Sequence, residues 1–178
     1  MQQLEFVQLR AYARNFGGVM GLWWFLSFAC FVGVLYEPAL SFAFDLSIVA
    51  VPFIATYITR YYRDRILDGI ISFRRAFAYI FLVFFYATLI LSIVQWVYFT
   101  YLDNGRLVAS MLERINSPEM AAVIEAYNMP KEELVEQMNL ISESRPIDLV
   151  FSFMWFDFIA CAVISLMVAL ICKRTRRV

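Results

Sequence analysis

The chain has 178 residues, of which 62% are hydrophobic, 18% aromatic and 17% charged, and its 15 basic and 15 acidic residues sum to no net charge. That composition excludes a water-soluble globular protein and fixes the class as a membrane protein. There is no histidine, so the commonest general base and metal ligand is missing, and neither cysteines nor carboxylates have zinc spacing. No enzyme activity, no cofactor and no metal is expected.

The first 16 residues carry Glu5, Arg10 and Arg14 and lead into an apolar run at about residues 17–36. A signal peptide has a shorter apolar core that ends at a small-residue cleavage site, so this first helix is expected to stay in the mature protein. Three more runs follow at about 39–60, 75–102 and 148–172. Each reaches the roughly 20 residues that a helix rising about 1.5 Å per residue needs to cross the hydrocarbon of a bilayer. Their apolar faces extend all round the helix and leave no stripe for water. The predicted fold class is all-α: an integral membrane four-helix bundle in a single domain, 1–178, with a small extracytoplasmic helical cap at 103–147 between spans 3 and 4.

Small-residue pairs mark the expected helix contacts: Gly17 with Gly21 and Ala29 with Gly33 in span 1, and Cys161, Ser165 and Ala169 in span 4. Their first use is close packing within the chain, their second a homo-oligomer. Cys30, Cys161 and Cys172 lie in or at the ends of spans and are odd in number, so no disulfide is expected.

Inside the spans stand two ionisable groups, Asp45 in span 2 and Asp157 in span 4, with Gln95 in span 3 at a similar depth. Counted from the outer ends, both carboxylates sit roughly 9 to 12 Å below the boundary. Such groups are costly in hydrocarbon unless neutralised or turned toward protein or water. The three side chains can meet in one layer without any cation to balance them. Two carboxylates in such a layer would share a proton and could carry protons or bind a cation. The plainer alternative is hydrogen bonding across helices or, for Asp45, contact with interfacial water. Pro52 predicts a kink near this layer, with a freed carbonyl able to join a site.

Between spans 2 and 3 lies a basic hairpin containing Arg60, Arg63, Arg65, Arg74 and Arg75. Asp64 and Asp68 are spaced to pair with its arginines, Gly69 allows a tight turn, and Ser72 can cap span 3. Tyr57, Tyr61 and Tyr62 on this side, and Tyr98 and Tyr101 near the other, fit interfacial aromatic belts. The hairpin reads first as a topology anchor at headgroup level. The sharper reading is recognition of a lipid phosphate or of the cytoplasmic face of a partner enzyme.

After span 3, Leu107, Val108, Met111, Leu112 and Ile115 share one helix face, and this helix can continue span 3 out of the bilayer. Ser117 and Pro118 read as the cap and first residue of a second cap helix, which Asn128 ends. Pro130 opens a third, with Glu132 and Glu133 placed for the helix dipole and Leu134, Val135, Met138 and Ile141 on its apolar face. Pro146 closes the cap. These stripes are expected to pack on one another; alternatively, Met111, Met120, Met129 and Met138 form an adaptable docking surface.

Eleven of the 15 basic residues fall in the leading segment, the hairpin and the tail at Lys173, Arg174, Arg176 and Arg177. The segment between spans 3 and 4 holds the other four against nine acids. By the positive-inside rule both termini are cytoplasmic. The arginines are thereby explained by orientation, and no nucleic-acid binding is expected.

The hairpin also carries a resemblance. Tyr62-Arg63-Asp64 at the inner end of span 2, Gly69 five residues later, Ile71-Ser72-Phe73, and Ala76-Phe77 opening span 3 resemble the domain-of-unknown-function family 4199. That resemblance covers the whole chain in layout and is specific over Tyr62 to Phe77. It implies a bacterial inner-membrane protein with four spans and a long charged segment between the third and fourth. It also implies a partner such as a membrane glycosyltransferase, and it confers no activity. The expected role is an accessory or scaffold subunit in contact with the lipid bilayer. The competing role is a small proton- or cation-linked carrier or channel component built on Asp45, Gln95 and Asp157.

Overall fold

Backbone groups in hydrocarbon have no water to bond, so apolar runs close their hydrogen bonds within helices, and the ladder continues into polar flanks until a turn stops it. In the computed structural model, which describes residues 3–127 and 130–174, this gives seven helices among the described residues. They are α1 (Gln3–Gly33), α2 (Leu40–Ile66), α3 (Phe73–Tyr101), α4 (Arg106–Ile115), α5 (Pro118–Ala126), α6 (Lys131–Glu143) and α7 (Pro146–Cys172). Four of them, α1, α2, α3 and α7, are long and apolar enough to cross a membrane. The all-helical expectation holds. Two compact units divide the chain, one running to Ile93 and resuming at Phe153, the other comprising Val94–Ser152.

The first unit holds α1, α2 and most of α3 and α7. The helices outrun their apolar runs: α1 already includes Arg10 and Arg14, and α2 continues through Pro52 to Ile66. Arg60, Arg63 and Arg65 therefore form the last turns of α2 and are not in a loop. The reversal itself is short. The amides of Leu67 and Gly69 donate to the Arg63 carbonyl at 3.2 and 2.9 Å, and Asp68 (φ 51°) and Gly69 (φ 81°) take the left-handed conformation that turns the chain. Ser72 Oγ then accepts from the Arg75 amide at 3.4 Å, capping α3 as expected.

Close helix contact in this unit follows the small residues. A Cβ added at Gly17 would stand 2.5 Å from Tyr86 Cβ and 3.0 Å from the Val83 carbonyl, and one at Gly21 would stand 2.8 Å from Ile90 Cδ1. The pair is thus the α1–α3 seam, used within the chain. On α7, Cys161, Ser165 and Ala169 are buried together with Val168 and Cys172. Between α1 and α2, Ser27 Oγ donates to Ser47 Oγ at 2.6 Å and Trp23 Nε1 to the Ser47 carbonyl at 3.2 Å. The three cysteines are free thiols.

The outer surfaces of these helices are greasy. Between 17% and 39% of each apolar window is buried inside the protein, and Phe42, Phe53 and Phe156 are over two-thirds exposed. Water does not tolerate so much apolar surface on so small a protein, whereas lipid does.

The second unit contains α4, α5, α6 and the adjoining ends of α3 and α7. Here the structure corrects one expectation: α4 does not continue α3. The chain breaks at Asn104 (φ 47°) and Gly105 (φ 77°). Asp103, itself buried, organises the break. Its carboxylate accepts from Tyr98 Oη at 2.9 Å and from the amides of Gly105 and Leu107, both at 3.0 Å. A carboxylate that collects the first amides of a helix is worth about 1 kcal/mol as a cap, and it stops the preceding helix at the same point.

The remaining cap elements form as read. Ser117 Oγ accepts from the Met120 amide at 3.2 Å with Pro118 at the first helical position, and α6 begins just after Pro130. Leu107, Val108 and Ile124 are buried, and α4 packs on both α5 and α6. Leu134, Val135, Met138 and Ile141 are half-buried on α6 while most of its other positions are exposed, so the stripes do pack on one another. Met111, Met120 and Met138 are half-buried as well; Asn128 and Met129 lie outside the described residues, as do Arg176 and Arg177 of the tail.

Candidate functional site

Arg63 is the centre of the best-defined polar arrangement in the first unit. Its Nε and Nη2 donate to Oδ1 and Oδ2 of Asp64 at 2.7 and 2.9 Å, a two-pronged pairing that fixes the guanidinium plane. Nη1 remains free to donate to the Cys172 carbonyl at 3.1 Å. That carbonyl ends α7, where the helix dipole is negative and the last acceptors lack intrahelical donors. Two residues further on, the Arg174 amide donates to the Ile71 carbonyl at 2.9 Å and the Ile71 amide to the Arg174 carbonyl at 3.0 Å, a one-rung antiparallel bridge. The α2–α3 turn and the end of α7 are therefore fastened by a side chain and by backbone.

Beneath this junction lies an aromatic cluster. Tyr62 is fully buried and stacks on buried Tyr79 with ring centroids 4.0 Å apart and planes 9° from parallel. Tyr12 of α1 tilts against it at 5.7 Å. Tyr62 is thus a core residue and not the interfacial anchor expected of it. Its neighbours face outward: Tyr57 and Tyr61 are 69% and 41% exposed, with Tyr61 edge-on to Phe16. Phase decides the difference, because Tyr62 follows Ala55 and Ile58 on the buried face of α2.

The expected pairings in the basic segment are met in part. Asp64 takes its sequence neighbour Arg63, whereas Asp68 serves the turn through its backbone. Around the junction Arg60, Arg65, Arg74, Lys173 and Arg174 are exposed, and Phe73 is half-buried as the first residue of α3.

The intramembrane polar residues are placed as follows. Asp45 is exposed on α2, roughly 100° round the helix from the face made by Val51, Ala55, Ile58, Thr59 and Tyr62. Asp157 is half-buried on α7, one turn before Cys161 on the stripe that buries Ser165 and Ala169. Among the described residues no hydrogen bond or ion pair joins these two carboxylates. Gln95 belongs to the second unit, where it is buried, as is Phe99 one turn further along α3, and its Oε1 has no hydrogen-bond partner among the described residues.

Sequence reasoning missed three participants: the Cys172 carbonyl, the Ile71–Arg174 bridge and Asp103. For Asp103 a signal existed, since Asp-Asn-Gly is turn chemistry. For the other two none did, because 109 residues separate Arg63 from Cys172.

Four helices are long and apolar enough to cross a membrane, and a basic junction joins α2, the α2–α3 turn and the end of α7; these are the features of a multi-pass membrane protein. The chain belongs to the family described as Protein of unknown function (DUF4199), whose model matches residues 15–174. No curated protein and no solved structure matches it.

Proposed function

We propose that the protein is an accessory or scaffold subunit of a membrane complex, set in the inner membrane of a bacterium with both termini cytoplasmic and without catalytic chemistry of its own. The observation that carries this reading is the fastened junction of α2, the α2–α3 turn and the end of α7. A surface ordered before its partner arrives loses little conformational freedom on docking. This one presents Arg60, Arg65, Arg74, Lys173 and Arg174 to its surroundings, a basic face suited to an acidic partner surface. The distribution of Lys and Arg along the chain supports placing that face in the cytoplasm. The family resemblance makes a membrane glycosyltransferase the partner class to look for. Photocrosslinkers at Arg65 and Arg74 in intact membranes should capture one distinct membrane protein. Recovery of lipid alone, or of further copies of this chain alone, would overturn the reading.

A second reading, a small proton- or cation-linked carrier component, draws support from Gln95, whose Oε1 is buried without a partner, and from Asp157 on the buried stripe of α7. The Asp45→Asn and Asp157→Asn double substitution separates the two. A scaffold keeps both its partner and its phenotype; loss of the phenotype with the assembly intact favours the carrier.

A further inference from the structure

At the fastened end of the first unit, three arginines from two distant parts of the chain gather around one carboxylate. Arg60 and Arg63 lie three residues apart on α2, and Arg174 is brought beside Ile71 by the backbone bridge. Asp64 takes the fork of Arg63 and lies within electrostatic reach of both Arg60 and Arg174. Arg60 and Arg63 also both approach Cys172 at the end of α7. The roles of the three differ. Arg63 is committed, with all three of its nitrogens engaged by Asp64 and the Cys172 carbonyl. Arg60 and Arg174 are exposed; Arg60 also turns a donor toward the Cys172 side chain, and among the described residues neither forms an ion pair of its own within contact distance.

One carboxylate against three guanidiniums leaves an excess of two positive charges at a single spot. Asp68, the other acid nearby in sequence, lies in the turn, and exposed Arg65 and Arg74 add further positive charge around it. The depth of the spot is set by its neighbours: Tyr57 and Tyr61, exposed on α2 just before and between these arginines, are amphipathic rings that settle at the headgroup layer. At that layer the abundant anion is a phosphate diester, and planar guanidinium forks match its oxygens in pairs.

We propose that Arg60 and Arg174, positioned by the Arg63–Asp64–Cys172 junction, hold the phosphate of an anionic phospholipid headgroup. A zwitterionic headgroup would bring a cationic amine into a place already rich in positive charge, so the site selects for net-negative lipid. Arg60 and Arg174 then serve lipid and leave Arg65, Arg74 and Lys173 to the protein partner proposed above, so failure of the lipid test leaves the scaffold reading standing and the reverse also holds.

The test is the melting of the purified full chain in detergent micelles supplemented with phosphatidylglycerol, with phosphatidylcholine or with inorganic phosphate. Phosphatidylglycerol should raise the melting temperature by several degrees over phosphatidylcholine, as ligand binding to the folded state requires. Arg174→Gln should lose much of that increment, and Arg60→Gln with Arg174→Gln nearly all of it. Melting of Arg174→Gln in phosphatidylcholine should stay close to that of the parent, because Arg174 is held through its backbone. Arg63→Gln should melt lower in every condition, which marks damage to the junction as distinct from loss of lipid. Should the double variant not fold, retention of phosphatidylglycerol by Arg174→Gln in native mass spectrometry gives the same answer. An increment that survives in Arg174→Gln and in the double variant, or one equally produced by phosphatidylcholine, overturns the proposal. An equal rise with inorganic phosphate overturns the lipid assignment and makes the site one for a soluble anion.

Discussion

Tyr61 and Tyr62 are adjacent in sequence and opposite in fate: the first is 41% exposed and the second fully buried against Tyr79. Removing a large buried ring costs about 3 to 5 kcal/mol, whereas an exposed one costs about 0.5 kcal/mol or less. Tyr62→Ala is therefore expected to unfold at markedly lower denaturant than the parent, and Tyr61→Ala close to it, by equilibrium unfolding in mixed micelles. Tyrosines at a membrane boundary look alike in sequence whether they point in or out, so composition alone predicts an anchor at both positions. The facing was nevertheless available, since Tyr62 sits seven residues after Ala55 and four after Ile58. The polar residues divide in the same way. That Asp64 would pair with an arginine of this segment was legible, but that the arginine would be Arg63, and that Arg63 would add a hydrogen bond to the Cys172 carbonyl, was not, because nothing local announces a contact across 109 residues.

Among the helices, the membrane-length ones were readable because lipid demands length and unbroken apolarity together, and α1, α2, α3 and α7 satisfy both. Their ends were less readable: a helix does not stop where its apolar run stops, and α1 reaches back to Gln3. The break before α4 was misread because the apolar period of Leu107, Val108 and Met111 runs smoothly out of α3. Period alone is silent about Asp103 and the left-handed pair after it. The α1–α3 seam offers a clean check on packing. An added methyl at Gly17 meets the Val83 carbonyl and the first carbon of the Tyr86 side chain, neither of which can swing aside. Gly17→Ala is expected to cost about 1 to 3 kcal/mol in the same unfolding assay. Gly18→Ala, whose methyl would meet nothing within 4 Å, should be neutral or mildly stabilising.

At the scale of the molecule, the leading segment, the segment around the α2–α3 turn and the tail carry eleven of the 15 basic residues, and in the first unit the turn and the end of α7 are physically joined. The proposed orientation puts them in the cytoplasm and the segment from Asp103 to Asp148 outside. In a cysteine-free background, Ser144→Cys should react with an impermeant maleimide in intact cells, and Arg74→Cys only after the membrane is opened. Labelling of both from the same side would overturn the orientation.

The bridge from Ile71 to Arg174 also sets an order of events. Ribosomes deliver residue 71 long before residue 174, so α2 and α3 must wait through the synthesis and insertion of everything between before their turn is fastened. Until then Arg63 has no α7 carbonyl to hold. A nascent chain that stalls early therefore carries an open, positively charged elbow, distinguishable from the finished protein by shape alone.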